Sequence, residues 1–235
     1  MKEDNTLKIS IIIPVLNEAS FIGNLLERLN LYSASRNIKE IIIVDGGSTD
    51  NTISIASTYN VTILSSEKGR AKQMNLGAKH ALGGILYFLH VDTFPPENFD
   101  TFIINAVKKN HSTGCFRMQF NSPSYFLKFF GWLTRVNHRC FRGGDQSLFI
   151  TKELFIRSKG FNESYIIYED SEFITRLYRL NGFKVLPEKV ITSARRYEQI
   201  GTIKLQYHFG IIHFKKLLGV HPQKLYDYYK KNITA

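Results

Sequence analysis

This chain has little cysteine, no long apolar run and, in its second half, few acidic residues. Two cysteines in 235 residues, Cys115 and Cys140, are too few for a disulfide scaffold or a zinc cluster. They read as buried or free thiols of a reducing compartment. No stretch approaches the roughly 18 uncharged apolar residues of a membrane span. The start, Met1-Lys-Glu-Asp-Asn5, lacks the apolar core of a signal peptide. The expected location is therefore the cytoplasm. No G-x-G-x-x-G follows the first strand-like run and no Walker A sequence occurs, which argues against a classical dinucleotide or P-loop site. Internal repeats, low-complexity tracts and linkers are also missing. With 43% hydrophobic and 22% charged residues, disorder, collagen and coiled coil are excluded. A chain of this length buries a sizeable core without a metal or a disulfide.

The charge is unevenly spread. Residues 1–117 hold 12 Lys/Arg against 11 Asp/Glu, whereas residues 118–235 hold 19 against 9, so the formal net charge of +11 sits almost entirely in the second half. Such asymmetry points to an anionic partner: a nucleic acid, an acidic membrane surface or a phosphorylated substrate. A basic but idle surface is the plainer alternative.

Lys8–Val15, Glu40–Asp45, Val61–Ser65 and Ile85–His90 are short β-branched or apolar runs. Runs apolar on both faces suit strands buried in a parallel sheet. Between them, Ile22, Leu25, Leu26 and Leu29 recur at helical spacing, and Gln73–Ala81 reads as a helix with Met74, Ala78 and Ala81 on one face. The alternation over the first 90 residues predicts a doubly wound α/β sheet. Past residue 120 the pattern is less regular. Gln146–Thr151 reads as a strand, Asp170–Leu180 as a helix with Phe173, Leu177 and Leu180 on its apolar side, and Thr202–Leu218 as a C-terminal helix. One compact domain is the simplest organisation. In Phe126–Arg142, aromatics alternate with Lys128, Arg135, Arg139 and Arg142. The rings read first as core. With the interleaved cations they also suit an anionic bilayer that presents a lipid-linked acceptor.

Ligands of open α/β sheets bind outside the carboxyl ends of the strands, and polar residues converge there from separate segments. Pro14-Val-Leu-Asn17-Glu18 follows the first run. Asp45-Gly-Gly-Ser48-Thr49 follows the second and makes a tight turn, with Ser48 or Thr49 as candidate helix cap. Lys68-Gly-Arg70 opens the third helix. His90 and Asp92 end the fourth run, and strand alternation places them on one face. A single carboxylate there is compatible with a divalent ion on a diphosphate; a His–Asp hydrogen bond is the plainer reading. Glu169-Asp170 opens a helix. That placement is favoured by the helix dipole and also supplies a carboxylate able to take a proton from a hydroxyl nucleophile. Arg195-Arg196 can recognise phosphate by forked hydrogen bonds or simply be solvated.

The ordered set Ser10–Glu18, Ile43–Asp50, Lys68–Asn75, Leu89–Asp92 and Tyr168–Asp170 resembles family 2 glycosyltransferases. Gly143-Gly-Asp-Gln146 and Ser193–Glu198 are similar to a bacterial subgroup named radical-SAM/selenodomain-associated transferases. The resemblance runs over about residues 8 to 230. It implies the GT-A fold, a Rossmann-like, mostly parallel central sheet flanked by helices. It implies one domain over 1–235, with a nucleotide-sugar half at about 8–117 and an acceptor half with C-terminal helices at about 118–235. It further implies a nucleoside-diphosphate sugar donor, an acceptor hydroxyl on a lipid-linked or small molecule, and inverting transfer assisted by Mg²⁺ or Mn²⁺.

Carried onto this sequence, the resemblance implies that Pro14, Asn17, Glu18 and Asp45 border the nucleoside. Lys68 and Arg70 would face the nucleotide. Asp92 would hold the metal with His90 beside it, in the position where the usual motif has a first Asp. Asp170 would be the base. Gly144, Asp145, Gln146 and Glu169 would line the acceptor side, and Arg195 and Arg196 are candidates for the diphosphate. The expected site of action is the cytoplasm or the inner face of the plasma membrane, with no nucleic acid. Two rival functions are a sugar-nucleotide-binding protein without catalysis and a basic nucleic-acid-binding protein. The retained Glu169-Asp170 pair argues against the first, and the lack of a recognisable RNA or DNA module against the second.

Overall fold

The structure is a computed structural model that describes residues 6–180 and 182–233. The N-terminal five residues, on which the signal-peptide reading was based, lie outside it. The front half runs β1 (Ile9–Val15), α1 (Ala19–Tyr32), β2 (Ile38–Asp45), α2 (Thr52–Ala56), β3 (Thr62–Ser65), α3 (Arg70–His80) and β4 (Ile85–Phe88), matching the predicted alternation. The back half adds β5 (Thr93–Phe94), α4 (Phe99–Lys108), β6 (Thr113–Asn121), α5 (Tyr125–Leu133), β7 (Leu148–Thr151), α6 (Lys152–Arg157), α7 (Glu169–Leu180), β8 (Lys184–Ser193), α8 (Arg195–Ile200), α9 (Thr202–Leu217) and α10 (Pro222–Ile233).

All strands join one sheet in the order β3-β2-β1-β4-β7-β6-β8-β5. The first four are mutually parallel. β7 runs antiparallel between β4 and β6, and β8 runs parallel to β6. Every residue of β1 is buried because helices cover both faces. Ile9, Ile11, Ile13 and Val15 pack under α1 with Ile22, Leu25, Leu26 and Leu29. Ile12 packs on the other face with Ala71, Met74 and Ala78 of α3. The approach of α3 is close: a Cβ on Gly77 would lie 2.5 Å from Ile12 Cγ2. Strand order leaves β1 and β4 side by side while their connections diverge, so a crevice opens at their carboxyl ends.

The structure corrects several local expectations. β4 ends at Phe88, so His90 and Asp92 lie in the turn beyond it rather than on alternating strand positions. Ser48 and Thr49 cap no helix. Two further residues, Asp50 and Asn51, precede α2, and Ser48 ties Asp45 to Asn17 instead. Gln146 sits in a 3-10 turn ahead of β7. Leu180 is exposed at the end of α7. Of α5, Leu127 is buried and Phe130 packs half-buried against it, whereas Tyr125, Phe126, Phe129 and Trp132 are exposed and not core. Arg142 is not a surface cation: it is buried, with Nη1 on Gln146 Oε1 at 2.6 Å. Cys115 is buried and Cys140 exposed, both as free thiols.

One buried amide holds the crevice in register. Gln73 of α3 donates from Nε2 to the carbonyls of Val15 (2.9 Å) and Val44 (2.8 Å), bridging the ends of β1 and β2. Gln73→Leu keeps the volume but leaves these carbonyls short of a donor, which costs about 1–3 kcal/mol. Urea unfolding is expected to show that loss with an unchanged slope; an unchanged midpoint would remove Gln73 from this role.

Candidate active site

The crevice is a cavity of about 750 Å³, within the range of small-ligand sites. The ends of β1 and β4 supply Pro14, Glu18, His90 and Asp92; the approach to α3 supplies Lys68 and Arg70. The loop before β7 supplies Arg142, Gly144 and Asp145, and the start of α7 supplies Glu169 and Asp170. α8 contributes Arg195 and Arg196, and the C-terminal helices close the wall with Phe209, His213 and Tyr229. Sequence reasoning missed this last group. No local motif ties these C-terminal side chains to the strand ends of the front half, so the sequence carried no signal for them.

Three expected residues do not line the cavity. Asn17, at φ +55°, accepts at Oδ1 from the Thr49 amide at 2.8 Å, while its own amide donates to Ser48 Oγ at 2.9 Å. Ser48 Oγ donates in turn to Asp45 Oδ1 at 2.6 Å. The two loops after β1 and β2 are thus stapled together, and the Asp45 carboxylate is the staple's acceptor. Gln146 is buried below the floor. It accepts from Arg142 and donates to the Phe141 carbonyl, which fixes the loop carrying Gly144 and Asp145.

His90 is the hub of the floor. Nδ1 lies 3.6 Å from Asp145 Oδ1 and Nε2 lies 3.3 Å from Asp170 Oδ2. Burial alone would keep the imidazole neutral, but the two carboxylates reverse that and push its pKa up to about 10. Asp145 is correspondingly held below the usual carboxylate range: burial opposes its charge, and His90, Arg70 and Arg196 more than offset it. Gly144 makes the grouping sterically feasible, since a Cβ there would collide with both Asp170 Oδ2 and His90 Cε1. Tyr168 enters the left-handed region at φ +70° and turns the chain into α7, so that Glu169 and Asp170 face inward. Its hydroxyl meets His213 Nδ1 at 2.7 Å.

Glu169 is buried, with Oε1 3.7 Å from Arg70 Nη1. Burial and the neighbouring Asp170 push its pKa up to about 7, against the pull of Arg70. Arg195 bridges Glu18 (2.8 Å) and Asp92 (3.6 Å) and lies over the Phe21 ring. Arg196 bonds the Tyr229 hydroxyl. Both arginines are therefore built into the cavity wall rather than merely solvated.

The donor set allows a limited test of metal binding. Among the described residues, no cluster of three or more His, Cys, Asp or Glu could hold an ion alone. Both nitrogens of His90 are turned to carboxylates, leaving Asp92 as the cavity carboxylate at the strand end. One carboxylate fits Mg²⁺ or Mn²⁺ when phosphate oxygens complete the sphere. The charge balance is consistent with such an addition. The wall carries five Lys/Arg and five Asp/Glu besides His90, too little net positive charge to neutralise a diphosphate.

Residues 10–162 match the family model described as Glycosyl transferase family 2. The glycosyltransferase AglE of Haloferax volcanii is 31% identical over 98 residues, 39% of this chain and 32% of that protein. The structure of S. aureus TarS residues 1–349 in complex with UDP superposes with a TM-score of 0.67 at 22% identity, covering 79% of this chain and 60% of that one. The mannosyltransferase PcManGT of Pyrobaculum calidifontis, in complex with GDP-Man and Mn²⁺, superposes with a TM-score of 0.65 at 22% identity, covering 97% and 68%. At these identities the structural likenesses establish the GT-A fold. The chain spans about a third of the length of the curated relative and three-fifths of the TarS chain.

The charge pattern has a defined pH window. A histidine raised from 6.5 to about 10 contributes stability that is complete below pH 6.5 and fades as pH rises through about 10. The lowered Asp145 contributes above the ordinary carboxylate value of 3.8 and is lost as pH falls through its folded pKa. NMR of the imidazole carbons should find His90 still doubly protonated at about pH 8, where an ordinary histidine is neutral. Asp145→Asn should move the midpoint down. A wild-type midpoint near that of a free imidazole would contradict the paired geometry.

Proposed function

This chain belongs to glycosyl transferase family 2, and from that premise we propose that it transfers a sugar from a nucleoside-diphosphate sugar to an acceptor hydroxyl. One observation carries the reading. A carboxylate able to act as base, Asp170, stands on the floor of a cavity whose walls also offer Lys68, Arg70, Arg195 and Arg196. Proton acceptance and anion stabilisation are the two tasks of a displacement with a diphosphate leaving group.

In this reading the nucleoside lies against Pro14, Glu18 and the stapled loops of Asn17 and Asp45. The diphosphate faces Lys68, Arg70, Arg195 and Arg196. Asp92 would hold Mg²⁺ or Mn²⁺ together with diphosphate oxygens, and the ion would supply positive charge opposite the leaving group. The complex of PcManGT with GDP-Man and Mn²⁺ supports such a pairing. His90 acts as a fixed cation beside Asp170 and Asp145 rather than as a ligand.

The acceptor enters along Gly144, Asp145 and Glu169. Asp170 takes the acceptor proton while the acceptor oxygen bonds the anomeric carbon from the face opposite the diphosphate. The bond to the diphosphate breaks, its electron pair leaves with the nucleoside diphosphate, and the anomeric configuration inverts. The subgroup named above remains part of the proposal, since both of its motifs contribute to the wall: Gly143, Gly144 and Asp145 from one, Arg195 and Arg196 from the other.

Asp170→Asn keeps size and hydrogen bonding but cannot accept the proton. Transfer should fall by at least the ~10²-fold typical of losing a general base, with donor affinity near wild type. Normal turnover would reduce Asp170 to a helix-end charge, and absent turnover in the wild type across donors would favour a sugar-nucleotide-binding protein without catalysis. For the metal, Asp92→Ala should abolish the divalent-dependent part of nucleotide binding, and EDTA should bring the wild type to the same level. If EDTA changes neither binding nor turnover, cations such as Arg70 neutralise the diphosphate unaided.

A further inference from the structure

The outer face of α5 joins exposed aromatic rings to cations. Its nine residues carry Tyr125, Phe126, Phe129 and Trp132, which are 88%, 39%, 55% and 50% exposed. Phe129 and Trp132 stack with ring centroids 6.2 Å apart and planes inclined by 11°. Lys128 lies over the Tyr125 ring at 5.2 Å and Arg135 over Trp132 at 4.6 Å. Contiguous apolar rings with a cationic rim mark an interaction surface rather than ordinary scatter.

Beside these rings a second cavity of about 320 Å³ opens, which shares no lining residue with the active-site cavity. Every charged group on its wall is a cation: Arg117, Lys128, Arg135 and Lys189. Arg117 Nε is buried and has no hydrogen-bond partner. A buried N–H of a cation without an acceptor is costly, and an anionic oxygen entering the cavity would satisfy it. Glu188 precedes Lys189 in the chain but is not on the cavity wall, and the segment 118–144 contains no Asp or Glu. Its last two residues, Gly143 and Gly144, lie on the wall of the large cavity.

We propose that α5 and this cavity dock the protein on an anionic phospholipid surface, with a headgroup phosphate in the cavity and the rings at the level of the headgroups. Aromatic side chains favour that level, being apolar in body and polar at one edge. A helix that joins such rings to Lys and Arg lies in the interface plane. A nucleic acid would also meet rings and cations, but it needs cations spaced along a groove, and here they converge on one small cavity. Docking does not depend on sugar transfer. Its consequence, that a lipid-linked acceptor is brought alongside the Gly143–Asp145 wall, does rest on the function proposed above.

Trp132 is the chain's single tryptophan, so intrinsic fluorescence reports on this face alone. Vesicles of equimolar phosphatidylglycerol and phosphatidylcholine, at low salt and without donor, should shift its emission to the blue and sediment the protein. Vesicles of phosphatidylcholine alone should do neither. Each Lys or Arg near an anionic surface is worth about a factor of five in partition, so Lys128→Gln with Arg135→Gln should weaken sedimentation by about 30-fold. Both side chains are exposed, and circular dichroism and nucleotide binding should be unchanged.

Equal partition into both vesicle types, or an unaffected double variant, would overturn the proposal. A blue shift with inorganic phosphate alone would reassign the cavity to a soluble anion. Salt-sensitive binding to single-stranded RNA without vesicle binding would replace the membrane by nucleic acid. Vesicle binding in a protein that transfers no sugar would leave docking intact and overturn only the catalytic reading.

Discussion

The charged hub of His90 between Asp145 and Asp170 governs the geometry of the site. Three segments far apart in sequence meet there: the turn after β4, the loop before β7 and the first turn of α7. Asp145, more than half exposed, and Asp170, 13% exposed, would repel each other if nothing stood between them. The imidazole stands between them, and its protonated form attracts both. Gly144 is the steric condition, because any side chain at that position would occupy the space where the two meet. Asp170 is therefore placed by a cation that belongs to the protein, in the position where the family's usual motif has an acidic residue.

That substitution redistributes work around the cavity. With His90 committed to carboxylates, Asp92 is left as the carboxylate suited to an ion, and it is shared with Arg195. Arg195 also grips Glu18 at the end of β1, so the wall that would meet the diphosphate is cross-linked by charge from α8 back to the first strand. Glu169, raised towards neutrality by burial and by Asp170, sits against Arg70. The floor thus keeps its acidic groups in different states at neutral pH: Asp145 held as carboxylate, Glu169 poised to gain or lose a proton.

The front half was readable because β1, β4 and the second half of β2 are buried on both faces, so apolar, largely β-branched runs marked them; the edge strand β3 is more exposed. The convergence of Glu18, Arg70, Asp92 and Asp170 on one cavity also followed from topology, since all but Asp170 adjoin strand ends of the parallel half. What escaped reading is non-local. β6 and β8 pair across about 70 residues, and β8 interrupts its pattern with Pro187 and charged side chains. The alternation argument for His90 and Asp92 failed because β4 stops two residues earlier. Asn17 and Asp45, carried over as nucleoside contacts, are tied to each other through Ser48. Such a loop-to-loop staple has no periodicity to betray it. For the rings of α5 the sequence left core and bilayer-facing surface both open, and the fold divides them: Phe130 packs inward while Tyr125, Phe126, Phe129 and Trp132 are exposed.

The central claim is that the crevice at the ends of β1 and β4 is a nucleoside-diphosphate-sugar site. Its most direct test is thermal unfolding of the whole chain against a panel of UDP-, GDP- and dTDP-sugars, each with and without Mn²⁺. A ligand at about a hundred times its Kd stabilises by roughly 2.7 kcal/mol, or about 5–10 °C for a domain of this size. The account predicts such a rise for at least one donor, larger with Mn²⁺ than without it. A panel in which no nucleotide sugar moves the midpoint, with or without metal, would contradict it.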